Sequence, residues 1–137
     1  MPLFYLDTSA LVKLLLDEPE SPNLRAYLRD ADLVSCELTL TEIPRAIRRA
    51  VGTDSKLPVD QLLRRGGELL DAVALVPLER PLLLAASALE EPLLRALDAI
   101  HLASAIVVSP IDGFVSYDER QSAAARLAGL RTVAPSG

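Results

Sequence analysis

Four acidic residues stand where strand-like runs give way to helical ones. Asp7 follows Leu3-Phe4-Tyr5-Leu6, and Glu42 follows the run at Leu33 to Ser35. Asp98 heads Ala99-Ile100-His101-Leu102-Ala103, and Asp118 follows Phe114-Val115-Ser116. Ligands in open α/β sheets bind outside the carboxyl ends of the strands, so carboxylates at such seams point at the usual site. Two of these charges about 4 Å apart repel by roughly 4 kcal/mol at an effective dielectric near 20. A divalent cation relieves that repulsion. Hard carboxylate oxygens select Mg²⁺ or Mn²⁺, as one ion or two, and leave coordination positions for water and phosphate oxygens. The chemistry this suits is phosphodiester hydrolysis. Each acid alone has a plainer use as a helix cap or a first-turn carboxylate, stabilised by about 0.3–1 kcal/mol. Their combination on one inferred edge favours the metal reading, in which Thr8 or Ser9 takes over the cap and Asp7 faces the ion.

The elements that must position these acids follow from periodicity. Short apolar runs predict strands at 3–6, 33–35, 73–76, 114–116 and, weakly, 132–133. Helical patterns predict helices over 9–16, 21–31, 41–51, 59–71, 79–88, 97–107 and 119–128. Strands alternating with helices imply a mainly parallel sheet covered on both faces. Right-handed crossovers then bring the strand ends and the following helix starts to one edge, where the four carboxylates converge. Pro44 is tolerated only in the first turn of a helix, which places Glu42 at a helix start.

The 137 residues fit a single domain, with 135–137 expected to fray. Cys36 is the only cysteine, so it forms no internal disulfide, suits a reducing compartment and is expected to be buried. His101 is the only histidine and is far from Cys36 in sequence, which argues against a Cys/His nucleophile. It lies one turn after Asp98, but a metal makes a general base unnecessary, and it reads as a satisfied structural residue. Apolar stretches are broken by charges before they reach bilayer length, and the N-terminal run is interrupted by Asp7, so a cytoplasmic protein is expected. A net charge of −5 disfavours nucleic acid unless the acids cluster around cations.

The run Leu6-Asp7-Thr8-Ser9-Ala10-Leu11-Val12-Lys13-Leu14, the helical Glu42, the segment Arg95-Ala96-Leu97-Asp98-Ala99-Ile100-His101-Leu102-Ala103-Ser104-Ala105 and the segment Phe114-Val115-Ser116-Tyr117-Asp118 carry a resemblance. They resemble PIN-domain ribonucleases, above all the VapC-type toxins of toxin–antitoxin pairs, from residue 3 to about 134. The resemblance implies a three-layer α/β/α sandwich and a Mg²⁺- or Mn²⁺-dependent endoribonuclease acting on RNA. It also implies a homodimer and a small antitoxin partner. Asp7, Glu42, Asp98 and Asp118 would form the metal quartet, with Ser116 and Thr8 in supporting positions. Arg45 and Arg49 lie three and seven residues after Glu42, flanked by Arg48, and suit RNA phosphates or a docking antitoxin. Lys13 is a weaker candidate of the same kind.

Two other classes of function compete. A non-enzymatic receiver-like or partner-binding module needs paired acids after the first strand and a late lysine. Here Asp7 is followed by Thr8, and no lysine occurs after residue 56. A dehalogenase-type phosphatase needs a second aspartate at position 9, which is Ser9. Within the resembling family, a processing nuclease is the alternative to a toxin.

Overall fold

The computed structural model describes residues 1–136. Five strands form one sheet: β1 (Leu3–Leu6), β2 (Asp32–Cys36), β3 (Ala74–Val76), β4 (Gly113–Val115) and β5 (Thr132–Val133). Their order is β3-β2-β1-β4-β5, and every pairing is parallel rather than mainly so. The chain lays strands outward on one side of β1 and then returns to build on the other. The gap between β1 and β4 is thus a topological switch point, where a sheet of this kind opens a crevice at its carboxyl edge.

The helices are α1 (Thr8–Leu15), α2 (Ser21–Tyr27), α3 (Thr39–Thr53), α4 (Val59–Asp71), α5 (Arg80–Ser87), α6 (Ala96–Val108) and α7 (Glu119–Leu127). Alternation along each strand sorts the core into two layers, as a period of two requires. Phe4, Leu6 and Val115 pack with Leu11, Leu24, Ile43, Ile47 and Leu62 from α1 to α4. Tyr5, Val34 and Phe114 face the other way, onto Leu102 and Ala105 of α6 and Ala124 and Ala125 of α7. The small residues of α6 also let α5 approach it, through Leu82 and Ala86 against Ala99 and Ala103. The result is a three-layer α/β/α sandwich.

All element ends but one lie within a residue or two of their expected positions, and two of the differences have a visible cause. α2 ends at Tyr27 instead of 31, because the chain turns through Leu28 to Asp30 to enter β2. α3 begins at Thr39, whose hydroxyl donates to the Cys36 carbonyl, so the helix starts before Thr41. Pro44 consequently lies inside the helix, beyond its first turn, and the Leu40 carbonyl goes without the amide that any other residue at 44 would offer. The helix tolerates that loss because Ile43 and Ile47 are both buried against the sheet.

Gly113 opens β4 beside the switch point. A Cβ there would stand 2.9 Å from Val133 Cγ2 and 3.0 Å from the Phe4 ring, both on neighbouring strands. Gly113→Ala is expected to cost about 1–3 kcal/mol through overpacking. Urea denaturation would measure this, and an unchanged midpoint would show that the β1–β4–β5 face can yield.

Of the residues expected to fray, Pro135 accepts a hydrogen bond from the Tyr117 hydroxyl at 2.6 Å, Ser136 accepts one from Asn23, and Gly137 lies outside the described residues. Among the described residues no helix is long and apolar enough to cross a membrane.

Candidate metal centre

Asp7 leaves the end of β1 with extended backbone and is 4% exposed. Its Oδ1 accepts from the Ser9 hydroxyl at 2.6 Å and from the Ala10 amide at 3.1 Å, and its Oδ2 accepts from the Ser116 hydroxyl at 2.5 Å. Asp7 is therefore itself the N-cap of α1. The expectation that Thr8 or Ser9 would take that role is corrected, because Thr8 is already helical and both hydroxyls are engaged elsewhere. Burial raises the Asp7 carboxyl above its ordinary pKa, and the Ser116 and Ser9 hydrogen bonds offset only part of that rise.

The two loops of the switch point are latched together. The Ser9 hydroxyl accepts from the Tyr117 amide at 3.0 Å, and the Ser116 hydroxyl accepts from the Asp118 amide at 3.1 Å. Ser116 thus joins Asp7 to the turn that carries Asp118.

Glu42 extends from the start of α3 and is held by two donors on the same oxygen. Thr8 Oγ1 donates to Oε1 at 2.5 Å, and His101 Nε2 donates to it at 2.8 Å. Burial works to raise the Glu42 carboxyl. The hydrogen bonds from His101 and Thr8, with the charges of His101 and Arg49, outweigh it and leave the pKa lowered. His101 is buried, and its other nitrogen, Nδ1, meets the Tyr5 hydroxyl at 2.8 Å and Cys36 Sγ at 3.7 Å. Burial disfavours the imidazolium, but Cys36 and Glu42 overcome that and raise the pKa to about 10. Burial likewise opposes the Cys36 thiolate, yet His101 draws its pKa down, and burial holds the Tyr5 phenol well up.

Asp98 occupies the first turn of α6, half-buried, and among the described residues no donor reaches it. Burial raises its pKa first, followed by the charges of Asp118 and Asp7 and then Glu42, with His101 opposing. The four acids therefore share one field. Asp118 is exposed and caps α7, its Oδ1 accepting from the amides of Arg120 at 2.9 Å and Gln121 at 3.2 Å. Asp98 and Asp118 together line a cavity of about 290 Å³ with Arg95, Glu119 and Arg120. Neither arginine was singled out from the sequence, although Arg95 lies three residues before Asp98 and Arg120 two after Asp118. Among the described residues neither forms an ion pair.

Convergence stops short of a finished cage. Among the described residues no three His, Cys, Asp or Glu side chains gather closely enough to hold a metal ion by themselves. Glu42 and Asp118 each commit one oxygen to protein donors, and Asp7 is bonded through both. What remains is a set of hard oxygens that repel one another, including both of Asp98. That set fits Mg²⁺ or Mn²⁺, ions that take one or two carboxylates and keep several waters.

The basic candidates separate. Arg45, Arg48 and Arg49 are exposed, and Arg49 lines a groove with Thr8, Ser9, Val12 and Lys13. Lys13 is engaged with Glu18 at 2.8 Å and Glu20 at 3.2 Å and lies over the Tyr117 ring, which leaves it little capacity to bind phosphate.

A family model described as the PIN domain matches residues 4–127. Ribonuclease VapC47 of Mycobacterium tuberculosis is 34% identical over 139 residues, covering 97% of both chains. Ribonuclease VapC35 of the same organism is 40% identical over 139 residues, again covering 97% of each. In fold, the chain is similar to one from the crystal structure of VapBC2 from Rickettsia felis bound to a DNA fragment from their promoter. The TM-score is 0.67 at 13% identity, across 96% of this chain and 98% of that one.

Proposed function

The chain belongs to the PIN-domain family, among relatives that are VapC ribonucleases, and from that premise we propose that it is the toxin of a toxin–antitoxin pair and cuts RNA with Mg²⁺ or Mn²⁺. The observation that supports the metal reading is geometric: Asp98 and Asp118 line one cavity, Ser116 joins Asp7 to the turn that carries Asp118, and among the described residues no donor reaches Asp98. Asp7, Glu42, Asp98 and Asp118 would hold the ion or ions. Such an ion supplies Lewis-acid activation of water and charge neutralisation at the phosphate.

The protein's own groups do the rest. Ser116 and Ser9 fix the Asp7 carboxylate, so it is already oriented before any ligand arrives. Thr8 fixes Glu42 in the same sense. Arg95 and Arg120 border the carboxylate cavity and are suited to the neighbouring RNA phosphates, with Arg45 and Arg49 on the α3 side. A small antitoxin, a homodimeric assembly and a cytoplasmic location complete the reading and come from the family, as does the preference for a toxin over a processing role.

The test is to map cleavage of total RNA with Mn²⁺, with EDTA, and with Asp7→Asn as control. Cleavage confined to the wild-type chain with Mn²⁺ or Mg²⁺ is expected. Cutting that persists in EDTA and in the variant would overturn the metal-dependent reading.

A further inference from the structure

We propose that His101 is a positioning residue for Glu42, setting from the buried face of α6 which of that carboxylate's oxygens is left for a divalent cation. The inference rests on Glu42 as an ion ligand, as read above.

Three observations support it. First, the direction of the central hydrogen bond is fixed by chemistry: a carboxylate only accepts, so Nε2 must carry the hydrogen that lies 2.8 Å from Glu42 Oε1. This holds for the neutral ring and the charged one. Second, the ring is anchored behind by the Tyr5 hydroxyl at 2.8 Å on Nδ1, and the Tyr5 ring is itself stacked on Phe114 at 5.4 Å, with both rings fully buried. The imidazole therefore has no freedom to follow a moving carboxylate. Third, Thr8 Oγ1 donates to the same Oε1 and lies 3.2 Å from Nε2, so two donors converge on one oxygen and none of the described residues donates to Oε2.

The placement on α6 gives this a second consequence. Asp98 and His101 are three residues apart and so lie on neighbouring positions of one helix face. One turn of α6 thus carries a carboxylate toward the cavity and a clamp toward α3. The hydrogen bond from His101 ties the helix that bears Asp98 to the helix that bears Glu42. A leucine would fill the same buried volume without a donor, which is the comparison that separates positioning from packing.

The experiment is Mn²⁺ titration by calorimetry, without RNA, on the wild type, His101→Leu, His101→Gln, Glu42→Ala and the His101→Leu/Glu42→Ala pair. Loss of an outer hydrogen-bond partner of a metal ligand typically costs about 10–100-fold in metal affinity, and a loss of that size is expected for His101→Leu. His101→Gln, which can return an amide donor to Glu42, is expected to recover part of it. In the Glu42→Ala background the further change at His101 is expected to do nothing, because its effect passes through the missing carboxylate.

Tyr5→Phe frees the ring from behind with little change of volume. It provides the same measurement, with a smaller expected loss, should His101→Leu fail to fold. An affinity that Glu42→Ala lowers and that folded His101→Leu or Tyr5→Phe leaves unchanged would overturn this inference alone. An affinity indifferent to Glu42→Ala would overturn both this inference and the assignment of Glu42 as a ligand.

Discussion

Asp98→Asn is expected to abolish divalent-ion-dependent RNA cleavage and, in the same chain, to raise the melting temperature of the metal-free protein at pH 7. The two effects have one cause. Asp98 is half-buried and shares the field of Asp118, Asp7 and Glu42, and among the described residues no donor reaches it, so burial first and those charges next hold its folded pKa above the ordinary value of 3.8. A carboxyl with a raised folded pKa binds its proton more tightly when folded than when unfolded. Its favourable contribution is therefore present below the unfolded pKa and is lost as pH rises through the folded one. At neutral pH the ionised group opposes folding, and the amide removes that opposition.

Cleavage should fall by more than the roughly 10–100-fold typical of outer-shell changes, because a direct ligand is lost. Single-turnover cleavage and thermal melts with and without Mn²⁺ would read both effects. Excess Mn²⁺ should stabilise the wild type more than the variant, since only a ligand bound to the folded state shifts the melt. The stability gain should shrink toward pH 4. A variant that still cuts RNA, or that melts below the wild type without metal at pH 7, would refute the account.

The largest effect on stability is expected at Phe114. Its ring is fully buried in the middle of β4 and stacks at 6° on Tyr5 of the adjacent strand, in the layer that also holds Leu102, Ala105 and Ala124. Phe114→Ala should cost about 3–5 kcal/mol, combining lost transfer energy with the cavity left behind. Against a typical total of about 5–15 kcal/mol, that is enough to unfold a substantial fraction of the chain on warming. Urea denaturation of the metal-free protein measures it directly. A cost below about 1 kcal/mol would mean that the α6–α7 layer collapses onto the sheet far more freely than its close packing implies.

The path from sequence to fold was shortest where the cause is local. The apolar run ending at Asp7, the strand at Phe114 and the periodic stretch 59–71 each appear where the pattern predicts them, since alternation and helical spacing are properties of neighbouring residues. Parallel layering followed from the order of these elements. The start of α3 was less legible, because the Thr39–Cys36 bond that begins it competes with the usual reading of Pro44 as a first-turn residue.

Within the site, the acids were readable as a set and so was the capping use open to each, but their long-range commitments were not. That Asp7 caps its own helix depends on an amide three residues on, whereas its bond with Ser116 spans 109 positions. His101 appeared as an isolated residue on an apolar helix, and its partner Glu42 is 59 positions away, beyond any periodic signal. Lys13 looked free for phosphate only because its pairing with Glu18 and Glu20 is set by a turn after α1.

The strand order has a consequence for how such a chain can diverge. Asp7 and Asp118 follow β1 and β4, and Glu42 follows β2, so three of the four acids depend on the three innermost strands. The outermost strands β3 and β5 carry none of them and are only three and two residues long. Drift in the edge strands therefore leaves the acid geometry intact, whereas a one-residue slip between β1 and β4 would separate Asp7 from Ser116. Selection on activity should be felt as constraint on register at the middle of the sheet, with freedom of sequence at its margins.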